Sequence, residues 1–143
     1  MDAVKFYTVR FLPGQELKSS LEDYVKVHRL QAASIATCVG SVRGATLRFA
    51  TPTTAGTNTL NSERVKSYDE ENFEICSLVG TVSPVGSHLH IVLGRADGSV
   101  VAGHVVGNLT VQTTAEVVIG ESLGEIYSRS YDPTTSYNEL QVF

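Results

Sequence analysis

The chain opens on Val4 to Phe11, a run of β-forming residues that closes at Pro13-Gly14, the punctuation expected between a strand and the next element. The period then changes. Leu17, Leu21, Tyr24, Val25 and His28 recur at the three- and four-residue steps of one helical face, while Glu16, Lys18, Glu22, Asp23 and Lys26 fall elsewhere, and one convincing helix is predicted. From Ser34 onward, Val, Ile, Thr and aromatic residues come in short runs separated by Gly, Asn or Asp. Strands are predicted at about 34–39, 42–50, 71–82, 87–95, 99–106, 109–119 and 124–131. Thr51 to Ser62, rich in Thr, Ala, Gly and Asn, reads as a loop or edge, and the tail after Pro133 carries no clear pattern. Leu109, Val111, Thr113, Ala115, Val117 and Ile119 alternate with Thr110, Gln112, Thr114, Glu116 and Val118, which gives one apolar and one mixed face. The expected fold class is α+β, a mainly antiparallel twisted sheet with one principal helix packed on it. The mixed face is then solvated or lines a subunit contact.

Composition narrows the picture. At 143 residues and with no internal repeat, a single domain is expected over 1–143, its core running from about 4 to 131, and its size needs no disulfide or structural metal as a staple. A net charge of −4 disfavours a free-standing nucleic-acid binder, which needs Lys and Arg to displace counterions from phosphates. Met1-Asp2-Ala3-Val4-Lys5-Phe6 has charges where a signal peptide needs an apolar stretch, and no 18 apolar residues run together. A soluble cytoplasmic protein without membrane partners is expected, small enough to reach a nucleus unaided. In that setting the sequon Asn108-Leu109-Thr110 is without consequence, and Cys38 and Cys76, far apart, read as two reduced buried thiols. No G-x-S-x-G elbow, phosphate-binding G-x-x-x-x-G-K-[ST] loop or EF-hand spacing occurs, which weakens serine hydrolysis and nucleotide hydrolysis as functions.

The most informative stretch is Gly86 to His104, which holds three of the four histidines. In a strand, His88 and His90 project from the same face. The direction of His104 depends on the turn between the strands. A two-residue type I′ turn at Asp97-Gly98 places His90 opposite Val105 and turns His104 away. A three-residue connection, Ala96-Asp97-Gly98, with Gly98 left-handed in a G1 bulge, places His90 directly opposite His104. Opposed residues share a sheet face with Cβ atoms roughly 4.5–5.5 Å apart, so His88, His90 and His104 would converge. Three neutral imidazoles beside an open position are the donor set of a catalytic-type zinc site, although nickel, cobalt, iron or manganese also suit these donors. The alternative is that the rings only pack and hydrogen-bond on a polar sheet face.

The remaining candidates are thinner. His28, on the apolar face of the helix, suits a satisfied core or capping role better than ligation. Glu116, on the mixed face of a later strand, is a candidate general base or orienting group for a ligand imidazole, against the commoner solvated carboxylate. Arg43 and Arg48 could bind an anionic group, though surface arginines usually do not.

Several segments together resemble the plants-and-prokaryotes conserved (PPC) domain family: Gly40 to Arg48, Asn72 to Ser83, the His88-Leu89-His90 segment through Gly103-His104, and Thr114 to Val117. The resemblance runs to about Tyr131. It implies a compact domain whose subunits associate as a homotrimer through sheet surfaces. It is similar to the prokaryotic-type branch, in which positions matching His88, His90 and His104 are metal ligands, commonly of Zn²⁺. Plant nuclear members carry an AT-hook with an Arg-Gly-Arg-Pro core. Here Arg43-Gly44 is followed by Ala45, which argues against direct minor-groove binding. The same broad grouping includes acetolactate decarboxylase and a zinc-dependent ester hydrolase, each with a three-histidine metal centre, but fold kinship does not transfer a substrate. Two functions follow as expectations. The first is a trimeric metalloprotein acting as a hydrolase or decarboxylase on a small carbonyl substrate, with Glu116 as proton shuttle. The second is a non-catalytic oligomeric module that recruits DNA-binding or transcription-related partners.

Overall fold

The computed structural model of the chain describes residues 3–50 and 64–143, so the loop or edge expected over Thr51 to Ser62 lies outside the described residues. In chain order the elements are β1 (Val4–Phe11), α1 (Leu17–Val27), β2 (Ala33–Arg48), β3 (Val65–Ser83), β4 (Gly86–Gly94), β5 (Val100–Gly107), β6 (Thr110–Ser122), β7 (Tyr127–Asp132) and β8 (Tyr137–Val142). Six strands form an antiparallel sheet in the order β1-β6-β2-β3-β4-β5, and β7 and β8 form a separate hairpin. The α+β class read from the pattern holds.

Strand β2 organises the sheet. One of its edges pairs with β3, and the other passes from β6 (through Arg43↔Thr110) to β5 (from Thr46↔Gly107), so the β2-β3-β4-β5 arc closes on itself. The sequence pattern splits this strand at Gly40, but the structure runs it unbroken for 16 residues. Gly40 adopts φ 144° where a Cβ would land on the carbonyl oxygen of Thr114, and the β2–β6 register shifts beside it. The glycine therefore marks a close approach of two backbones inside a strand. Further differences lie at element ends. β3 begins at Val65, ahead of its expected start, β6 continues to Ser122, and the unpatterned tail after Pro133 supplies β8.

Helix α1 forms where its period predicts. Glu16 caps it, accepting from the Ser19 amide at 2.7 Å through one carboxylate oxygen and from the Leu109 amide at 3.1 Å through the other, so the cap also ties the helix to the start of β6. Leu17, Leu21 and Val25 are fully buried against a core that includes Leu47, Phe73, Leu89, Leu93 and Val117. His28 is the C-cap residue; its Nδ1–H donates to the Tyr24 carbonyl at 2.9 Å and its ring stacks on Tyr24. It has the capping role expected of it. Buried Glu121 accepts from the Tyr7 hydroxyl and the Gln31 amide.

The cysteine expectation needs correction. Cys38 is buried, but Cys76 is exposed: it follows buried Phe73 and Ile75 in the alternation along β3, which turns it outward. Among the described residues no helix is long and apolar enough to cross a membrane.

Candidate metal centre

The site is built on the β4–β5 hairpin. Arg95 N–H donates to the Ser99 carbonyl at 2.8 Å, Gly98 N–H donates to the Arg95 carbonyl at 3.0 Å, and Gly98 sits at φ 83°. Asp97 braces the connection, its Oδ1 accepting from the Ser99 amide and hydroxyl. This is the three-residue turn with a left-handed glycine, and it sets His90 directly opposite His104. Along β4, Leu89, Ile91 and Leu93 are buried and His88 and His90 face outward. At the strand's start Ser87 donates to Glu22 on α1 at 2.6 Å, which ties β4 to the helix and leaves His88 on the opposite side.

The three rings converge. Their centroids are 5.1 Å (His88–His90), 5.0 Å (His88–His104) and 5.4 Å (His90–His104) apart, and one ligand nitrogen from each lies within 4.8 Å of the others. His88 Nε2 and His90 Nε2 are 3.2 Å apart, close to the ~3.3 Å subtended by two nitrogens at zinc-type distances from a tetrahedral ion. Burial, reinforced by nearby Arg48, holds His104 down at about 4, and burial together with His90 and Arg129 also lowers His88. His88 and His104 are therefore neutral at pH 7, the state in which imidazole offers a lone pair to a metal. His104 Nδ1 is buried without a hydrogen-bond partner, a cost that an ion or ordered water relieves. The donor set therefore fits a single divalent ion.

The cleft over the rings has a volume of about 820 Å³. Of the two arginines singled out in the sequence, only Arg48 belongs to it, paired across the β2–β5 ladder with His104. Arg43 is exposed and ion-paired with Glu70 at 3.2 Å. Glu116 is not brought to the cluster. It is exposed on β6 opposite Arg10 and Val39, and β2 and β3 stand between β6 and β4, about 14 Å of sheet. Sequence reasoning missed the far wall of the cleft, formed by Arg129, Tyr137, Asn138 and Glu139 of the β7–β8 hairpin. The only signal for it was a β-like run at 124–131, which says nothing of where a separate hairpin docks.

Residues 1–123 match the family described as the Plants and Prokaryotes Conserved (PCC) domain. The chain belongs to this family. Among solved structures, a hypothetical protein from Salmonella cholerae-suis is 36% identical with a TM-score of 0.85, covering 100% of this chain and 96% of its own. A protein from Bacteroides thetaiotaomicron, described as a candidate DNA-binding protein, is 28% identical with a TM-score of 0.75 (99% and 97% covered). A metal-containing protein from Archaeoglobus fulgidus is 25% identical with a TM-score of 0.76 (96% and 93% covered). A cyanobacterial protein from Synechococcus sp. (strain JA-3-3Ab), described as bifunctional protein GlmU, is 39% identical over 140 residues, 98% of this chain. The chain spans about a fifth of the length of the curated relatives it matches. The PCC match ends at residue 123, so the hairpin that walls this PCC domain's cleft lies beyond it.

Proposed function

We propose that this PCC domain is a metal-dependent protein that binds Zn²⁺ through His88, His90 and His104, works as a homotrimer in the cytoplasm, and acts on a small carbonyl compound by hydrolysis or decarboxylation. The convergence of three imidazoles at the floor of an open cleft carries the reading. A structural relative described as metal-containing adds to it. Bound at the cluster, a divalent ion supplies Lewis acidity toward a carbonyl or a water molecule. The chain's own part is to hold the donors on one face of a rigid ladder, which positions an ion better than a loop does, and to keep His88 and His104 from protonating by burying them. Glu116 as proton shuttle needs delivery from outside its own protomer.

Elemental analysis of untagged protein purified with zinc supplied tests the centre. About one zinc per chain is expected, and His88→Ala and His104→Ala should each abolish stoichiometric binding with circular dichroism unchanged. Metal-free wild-type protein would overturn the reading. Screening the loaded protein against esters and 2-oxo and 2-hydroxy acids then tests catalysis.

A second reading, an oligomeric module serving DNA-linked partners, is favoured by the description of the Bacteroides relative. The net charge of −4 weighs against direct DNA contact. An inactive but zinc-replete protein that captures a duplex only together with a second protein would favour it.

A further inference from the structure

The chain carries 15 Asp and Glu against 11 Lys and Arg, yet among the described residues the cleft is walled by three arginines, Arg48, Arg64 and Arg129, and one carboxylate, Glu139. Two of these arginines retain donor capacity. The Arg48 guanidinium lies over the Tyr137 ring at 5.3 Å, and among the described residues this aromatic face, not a hydrogen bond or ion pair, holds it. Arg129 is aimed by two contacts, Nη2 donating to Thr81 Oγ1 at 3.0 Å and Nη1 to the Asn138 carbonyl at 3.5 Å, while its Nε is buried with no partner among the described residues. A buried, unpartnered guanidinium N–H is costly unless something accepts from it.

We propose that Arg48 and Arg129 form an anion subsite that takes the carboxylate or phosphate group of a small organic ligand and presents the rest of it to the three imidazoles. A planar guanidinium matches both groups with two parallel hydrogen bonds, and the 820 Å³ cleft is the size of a small-molecule site. Glu139, the acidic member of the wall, directs the anionic end toward the arginines and away from itself. Because Arg129, Tyr137 and Glu139 all come from the hairpin, the element beyond the PCC match selects the ligand. The inference deepens the function proposed above and rests on that reading for its chemistry, though the anion subsite does not need the metal.

The test is an equilibrium titration of the full chain at low ionic strength with inorganic phosphate and with succinate, using uncharged succinamide as control. Both zinc-supplied and chelator-treated protein are titrated. Arg48→Gln, which removes no side-chain hydrogen bond among the described residues, and Arg129→Lys, which keeps the charge but loses the fork, should each weaken binding about tenfold or more. Arg43→Gln should leave it unchanged. The phosphate and succinate arms decide which oxyanion the fork prefers. Variants that bind like wild type, equal binding of succinamide, or binding only of a DNA duplex would overturn the subsite. If zinc is absent but phosphate or succinate binding remains sensitive to Arg48→Gln, the metal reading fails and the anion subsite stands.

Discussion

Cys38 and Cys76 have the same side chain but opposite environments, and the difference comes from which face of its strand each one occupies. Burial pushes the Cys38 thiol up to about 11, so it stays protonated and inert at pH 8, while Cys76 faces solvent in the protomer. Thiol titration of native protein should therefore show one fast and one protected group, with Cys76→Ser removing the fast phase and Cys38→Ser leaving it. Two fast thiols would contradict the placement. The same kind of local geometry made the histidines legible: His88 and His90 share a face by period, and His104 joins them once Ala96-Asp97-Gly98 is read as one connection with Gly98 left-handed. The roles of Glu116, Arg129 and Glu139 could not be read this way. Which strand lies beside which, and where a terminal hairpin docks, depend on contacts between segments far apart in the chain.

Strands and the helix were recovered from pattern, but the pattern misjudged what glycine does inside a strand. The pattern reads Gly40 as a boundary, whereas Gly40 and Gly80 are paired devices: both adopt φ near 140°, and both lie where a Cβ would meet the carbonyl oxygen of a neighbouring strand, Thr114 for one and His88 for the other. Only glycine permits that approach without strain. Gly80 thus lets β4 lie close enough to β3 to fix the backbone that carries the first histidine. Gly80→Ala should destabilise the fold by about 3 kcal/mol or more and weaken zinc uptake, because β4 must move to admit the methyl group. Gly86 has positive φ but open space around its missing Cβ, so Gly86→Ala should cost only about 1 kcal/mol. Chemical denaturation of both variants checks the contrast, and equal losses would show that backbone conformation alone, without the close contact, sets the cost at Gly80.

Assembly is where the sheet's outward surface acquires a purpose. Val39 on β2 and Val79 on β3 are 54% and 52% exposed on strands whose buried faces already fill the core, and Glu116 pairs directly with Val39. Isolated surface valines need no explanation, but apolar residues on neighbouring central strands of a sheet suit a subunit contact better than solvent. The homotrimer implied by family resemblance would cover such a surface. It would also be the means of bringing Glu116 near an imidazole cluster, since within one protomer β2 and β3 stand between its strand and the one that carries His88 and His90, and Glu116 and His104 pair with β2 nine residues apart, at Val39 and Arg48. Light scattering should accordingly return three times the 15.4 kDa chain mass at micromolar concentration, and Val39→Asp should lower it toward that of one chain with the circular dichroism spectrum preserved. If the wild-type protein is monomeric, the exposed valines are ordinary surface and Glu116 has no route to the histidines. If it is trimeric and Val39→Asp stays so, the contact uses another face, and Glu116 should be mutated only after that face is mapped.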